Sequence, residues 1–384
     1  MLERKMSLAT SPAFKAGLED VVAGTSDICF IDGREGRLVY CGYDIAELAK
    51  HSSFEEVTYL LYNKRLPNQA ELTEFDAKLK AARAVPQEVL DILKTLPKDI
   101  HPMAALRTGV SLLGNFDPHA EETGREAYVE TCIKLTAQMA TLTAAWERIR
   151  NGKEPVAPRT DLSHAANFLY MLKGEEPDEF EAHVFDVALI LHADHELNAS
   201  TFSARVTIAT LTDIYSAITS AVGTLKGPLH GGANERVMRM EQEIGDAANA
   251  EAWIKEALAQ KKKIMGFGHR VYRTKDPRAY ILEALSEEVG RRAGNTKWFE
   301  MTRVIEQTVL REKGLYPNVD LYSGSAYFVM GIPIDLFTPI FAVSRVAGWT
   351  AHILEQLSNN RIIRPRAEYT GPERLEYVPL EQRA

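Results

Sequence analysis

The sequence predicts a mainly α-helical protein with one short β-hairpin near its N-terminus. Two patterns predict this class. Apolar residues recur at helical steps along most of the chain, and strand-like stretches are scarce after residue 43. The strand–helix alternation of a parallel α/β fold is absent. At 384 residues the chain has room for two domains, or for one large domain with an insertion.

The first element is "TSDICFIDGREGRLVYCGY" (25–43), where β-formers flank an Asp-Gly turn and read as the hairpin. Leu135, Met139, Leu142, Trp146 and Ile149 step by 4, 3, 4 and 3, which predicts one face of a long helix. "VTIATLTDIYSAITSAV" (206–222) has helical length, and its small residues suit close packing. Leu336, Ile340, Val343, Ala347 and Leu354 form a second stripe near the C-terminus. Both stripes read as core seams. Breaks rich in Gly and Pro fall at 151–161, 173–180, 226–232, 313–320 and 330–335. The tail, "RIIRPRAEYTGPERLEYVPLEQRA" (361–384), either lacks fixed structure or drapes over another surface such as a partner subunit's, through Tyr369, Tyr377, Val378 and Leu380.

Hydrophobic residues make up 45% and charged residues 26%, ordinary values for a soluble globular protein. A formal charge of −8 argues against general nucleic-acid or anionic-membrane binding, yet allows a local basic pocket. Cys29, Cys41 and Cys132 form no CxxC pair and read as free thiols in a reducing compartment. "MLERKMSLATSPAF" (1–14) lacks the apolar core of a signal peptide. No uninterrupted apolar run reaches the ~18 residues of a membrane span. A cytoplasmic protein is expected.

Four stretches carry chemistry. "LHADHELN" (191–198) sets His192 and His195 one helical turn apart, a spacing open to metal ligation, a buried structural role or substrate binding. Neither zinc-protease pattern, HExxH or HxxEH, is present. "GPLHGGANE" (227–235) surrounds His230 with glycines, which fits either a surface loop or a close approach of ligand to backbone. "KKKIMGFGHRVYRTKDPRA" (261–279) places glycines and His269 among Arg270, Arg273, Lys275 and Arg278. A phosphate-bearing ligand suits that cationic bend, as does a solvated basic turn at a helix C-terminus. "YPNVDLYSG" (316–324) puts Asp320 after a Pro-Asn turn, where it reads as a helix N-cap or as an acid–base group.

In this order, "HADHELNAST", "GPLHGGANE", "GFGHRVYRTKDPRA", "YPNVDLYSG", "SRVAGW" and "RPRAEY" resemble citrate synthase, in its compact dimeric archaeal and bacterial form. The resemblance covers nearly the whole chain. It implies a large helical domain (1–230 and 324–384) and a small helical domain (231–323) that closes over the active site. It also implies condensation of acetyl-CoA with oxaloacetate, with no permanently bound cofactor and no metal. Asp320 is then the base, His230 the donor to the thioester oxygen, and His269 the donor to the ketone of oxaloacetate. His195, Arg278 and Arg345 match oxaloacetate-holding positions, and Arg364 matches one supplied across a homodimer. Arginine forks suit a dicarboxylate. Lys263, Ile264, Met265, Gly266 and Phe267 match the CoA strip, with Arg273 and Lys313 as further CoA contacts. Arg270 and Tyr272 depart from some relatives, which have small or apolar residues there. The rivals are a 2-methylcitrate synthase using propionyl-CoA and, more distantly, a metal-dependent hydrolase built on His192 and His195 or a non-catalytic helical interaction protein.

Overall fold

Cys29–Asp32 (β1) and Arg37–Tyr40 (β2) pair antiparallel, with Cys29 opposite Tyr40 and Asp32 opposite Arg37. The turn between them is closed by Asp32, whose Oδ1 accepts the N–H groups of Arg34 and Glu35 at 2.9 and 3.0 Å. Tyr43–Asp44 (β3) adds a third strand to the expected hairpin. The computed structural model describes residues 15–19 and 21–383, so the segment 1–14 lies outside the described residues.

Helices account for the rest of the regular structure among the described residues. Ile45–His51 (α1), Phe54–Asn63 (α2), Gln69–Ala81 (α3), Gln87–Thr95 (α4) and Pro102–Phe116 (α5) follow the sheet. Then come Arg125–Arg150 (α6), His164–Lys173 (α7), Glu179–His192 (α8), Ala199–Ile208 (α9) and Ile214–Leu225 (α10). Ala233–Ile244 (α11), Ala247–Ala259 (α12), Pro277–Arg292 (α13), Lys297–Lys313 (α14), Val319–Val329 (α15) and Phe337–Ser358 (α16) complete the set. Many begin at a short polar residue that takes the free N–H groups, as Ser53, Ser163, Asp178 and Asn198 do. Asn68 and Glu71 form a reciprocal capping box at α3.

Both apolar stripes are core seams, on α6 and on α16, and their residues are buried. α16 is buried over nearly its whole length and packs against α2, α6, α8, α9 and α10. The stretch 206–222 is not one helix. Leu211 takes a left-handed conformation (φ 65°), and Asp213 then caps a new helix through Ser216 N at 2.7 Å. The five predicted breaks all separate helices.

α11 to α15 pack chiefly on one another. α15 spans residues 323 and 324 and packs mostly on α11, α13 and α14. The tail beyond α16 has no regular structure except a single 3-10 turn at Leu380–Gln382, and Tyr369, Tyr377, Val378 and Leu380 are exposed on this chain. No helix among the described residues is long and apolar enough to cross a membrane.

Candidate active site

Three segments meet at the site, each held in place by hydrogen bonds to neighbouring elements. The first follows α8. Tyr40 Oη donates to Asp194 O at 2.9 Å and accepts from Asp194 N at 3.1 Å, so the sheet clamps the turn that carries His195. α16 presses on the same turn. A Cβ at Gly348 would lie 2.3 Å from Ala193 O, and only glycine allows that approach.

The second segment carries His230. Gly231 follows it because a Cβ there would sit 2.3 Å from Leu225 O, so this glycine serves helix–loop packing rather than ligand access. Ser200 N donates to His230 Nε2 at 3.2 Å, and Ser200 Oγ lies 2.8 Å from the same atom. Trp349 Nε1 in turn donates to Ser200 Oγ at 3.1 Å. A backbone N–H can only donate, so Nε2 keeps its lone pair and the proton sits on Nδ1.

The third segment joins 264–278 to 316–320. Gly268 N donates to Tyr316 O at 3.0 Å, and Asn318 N donates to Gly266 O at 2.9 Å. Gly266 has φ +82° and packs so closely on Val237 and Leu321 that a side chain would collide. His269 Nδ1 accepts from Val271 N at 3.0 Å and Tyr272 N at 3.2 Å, which leaves Nε2 as its N–H donor. The hairpin tip supports this segment, since Arg273 N donates to Gly33 O at 2.7 Å.

Asp320 is not the helix cap. Asn318 caps α15 by accepting from Asp320 N at 3.0 Å, and the Asp320 carboxylate accepts no hydrogen bond among the described residues. Burial pushes its pKa up to about 6, although Arg278 and Arg345 pull it down. Burial holds His230 and His269 down at about 4, aided by Arg345 at the first and Arg278 at the second. His195 is likewise held well below its usual range by burial, then by Arg278 and His269. All three imidazoles are therefore neutral near pH 7, beside a carboxyl that is ionised there but readily protonated.

Arg278 and Arg345 are each only 2% exposed. Asp276 grips Arg278 at Nε (3.0 Å) and Nη2 (2.7 Å), leaving Nη1 open, and also caps α13. Arg345 Nε donates to His192 O at 2.6 Å, and among the described residues no carboxylate lies within ion-pair distance of it. Burial pushes its pKa down to about 10, the mark of a cation short of a counter-charge. Two buried guanidinium groups with open donors, near three neutral imidazoles, are able to hydrogen-bond a small anion.

The remaining expected residues divide. Ile264 and Phe267 bury their side chains in the core, so only their backbones are free for a ligand. Met265 is half-buried, Gly266 is buried, and Lys263, Arg273 and Lys313 are exposed. Arg364 is exposed on the tail and makes no hydrogen bond among the described residues, so this chain alone does not bring it to the site. His192 donates Nδ1 to Ala188 O at 2.7 Å, and its Nε2 is buried without a partner. Among the described residues no three His, Cys, Asp or Glu side chains are grouped to hold a metal. The sequence reading gave no role to Ser200 or Asp276. An Asp-Pro pair opening a helix, with Arg two residues on, was the available signal for Asp276.

Residues 17–366 match the family description "Citrate synthase, C-terminal domain". The chain belongs to the citrate synthase family. It is 56% identical to "Citrate synthase 2" of Bacillus subtilis, covering 96% of this chain and 99% of that one. Identity to the citrate synthase of Haloferax volcanii is 54%, covering 97% and 100%. A 2-methylcitrate synthase of Mycobacterium tuberculosis is more distant at 44%, covering 94% and 92%. Among solved structures, the citrate synthase of Thermoplasma acidophilum, in a ternary complex with carboxymethyl coenzyme A and oxaloacetate, superimposes with a TM-score of 0.92 at 33% identity, covering 97% of this chain and 100% of that one.

Proposed function

We propose that this citrate synthase family member condenses acetyl-CoA with oxaloacetate and water, giving citrate and CoA. The observation that carries the reading is the pairing of opposites in one site. A carboxylate raised to about 6 by burial faces buried cations, beside imidazoles held neutral. Asp320 removes a proton from the acetyl methyl group. His230 Nδ1–H donates to the thioester oxygen, where negative charge develops as the enol or enolate forms. A neutral imidazole suits that task, because it does not give up a full proton too early.

The nucleophilic carbon then attacks the ketone of oxaloacetate, and His269 Nε2–H supports the new alkoxide. Hydrolysis of the resulting citryl thioester releases CoA. Arg278, Arg345 and His195 hold the two carboxylates of oxaloacetate, with Arg364 of a second subunit completing the set. The phosphates of CoA lie toward Arg273, Lys313 and Lys263, while backbone groups of Ile264, Met265, Gly266 and Phe267 line its other end. The unit α11–α15 closes over the substrates. Three free thiols, at Cys29, Cys41 and Cys132, support a cytoplasmic location.

The test is CoA release with oxaloacetate, comparing acetyl-CoA with propionyl-CoA. Higher kcat/KM with acetyl-CoA is expected, since the more similar relatives are citrate synthases. One methylene separates the two substrates by only about 1–3 kcal/mol. A preference for propionyl-CoA would replace this reading with that of a 2-methylcitrate synthase.

A further inference from the structure

Tyr272 touches two of the three site histidines. Its N–H donates to His269 Nδ1 at 3.2 Å, and its hydroxyl lies 3.3 Å from His195 Nε2. The rings form a triangle, with centroids 5.1 Å apart for His195–His269, 5.6 Å for His195–Tyr272 and 4.7 Å for His269–Tyr272. Tyr272 is 4% exposed, and His195 is the sole partner of its hydroxyl among the described residues. A buried phenol left without a partner is costly, so this bond satisfies it.

The direction of the bond follows from acidity. A phenol O–H is a better donor than a neutral imidazole N–H, and an imidazole nitrogen is a better acceptor than a phenol oxygen. Burial, and after it Arg278, His269 and Arg345, oppose a second proton on His195, so its ring has one N–H to place. With Nε2 accepting, that proton belongs on Nδ1, which makes no hydrogen bond among the described residues. The opposite tautomer would turn a lone pair toward a bound carboxylate. His230 and His269 have their tautomers fixed by backbone N–H groups, whereas His195 depends on a side chain.

We infer that Tyr272 is a positioning residue whose hydroxyl holds His195 in the Nδ1–H form, ready to donate to oxaloacetate. The substrate named here rests on the proposed function, but the tautomer does not. The test uses the full-length enzyme labelled with 15N at histidine and two-bond 1H–15N correlation spectra, with His195 assigned by its loss in His195→Gln. In the unsubstituted enzyme, His195 should show the neutral Nδ1–H pattern. Tyr272→Phe should shift it toward Nε2–H while the His269 pattern persists. The same variant should raise the oxaloacetate KM about 3- to 10-fold, the worth of one neutral hydrogen bond. Its kcat should stay within about twofold, and the acetyl-CoA KM should hold.

An Nε2–H pattern in the unsubstituted enzyme overturns the inference, and that spectrum decides alone if Tyr272→Phe does not fold. A folded Tyr272→Phe with an unchanged tautomer, or an unchanged oxaloacetate KM, also overturns it. Absence of turnover in the unsubstituted enzyme would instead defeat the proposed function and leave the spectrum readable.

Discussion

Asp320 lies in the first turn of α15, where the helix dipole favours its negative charge, yet burial outweighs the dipole and raises its pKa to about 6. The consequence for stability has a definite sign. Between the ordinary value of 3.8 and about 6, the folded chain keeps a proton that the unfolded chain has lost. Stability therefore falls as pH rises through that window, and above it the ionised carboxylate costs on the order of 1–3 kcal/mol. Asp320→Asn should raise Tm at pH 8 and leave it nearly unchanged at pH 4, as thermal unfolding at the two pH values would show. In the same variant kcat should fall about 10²–10⁴-fold, the usual loss on removing a general base. In the unsubstituted enzyme, kcat/KM for acetyl-CoA should decline as pH drops through about 6, because the base is then protonated. A profile flat down to pH 5 would remove Asp320 from the role of base.

The sheet acts on the site through its tip. A Cβ at Gly33 would lie 2.1 Å from Val271 O, so any side chain there must push the His269 segment away. Gly33→Val should thus impair catalysis from an element that carries none of the proposed site residues. Because His269 and Arg278 both sit on the displaced segment, kcat should fall and the oxaloacetate KM should rise together, by about tenfold or more. Steady-state kinetics beside a circular dichroism spectrum would separate this from unfolding. Gly348 plays the matching part on α16, where contact with Ala193 O and Asp194 Oδ1 seats the His195 turn. Gly348→Ala should cost about 1–3 kcal/mol through overpacking, measurable by denaturant unfolding.

Arg364 belongs to the scale of the whole molecule. It is exposed on an irregular tail with exposed apolar side chains, a poor arrangement for a lone subunit and a natural one for an arm across a dimer. If each site borrows the partner's Arg364, co-expressing Arg364→Ala with His230→Ala should restore activity in the mixed dimer. One of its two sites then has both groups intact, while each parent homodimer is impaired at every site. An isolated mixed dimer no more active than its parents would place Arg364 in its own subunit's site, or outside any site.

The helical class, the two buried seams and the chemical types in the site were readable from sequence, because helical periodicity and hydrogen-bonding capacity are local properties. The motif order around His195, His230, His269 and Asp320 also carried the family. The sequence misread 206–222 as one helix, because small apolar residues hide the turn that Leu211 and Asp213 make. It left Asp320 open between cap and base, since the nearby Asn318 is an equally good cap. Whether Arg345 has an acidic partner, which histidine nitrogen bears a proton, and why Gly33 and Gly231 must be glycine were decided only by tertiary structure. Each depends on what distant segments place within a few ångströms. Desolvation, which holds Asp320 up and the histidines down, likewise comes from the surrounding fold rather than from neighbours in the chain.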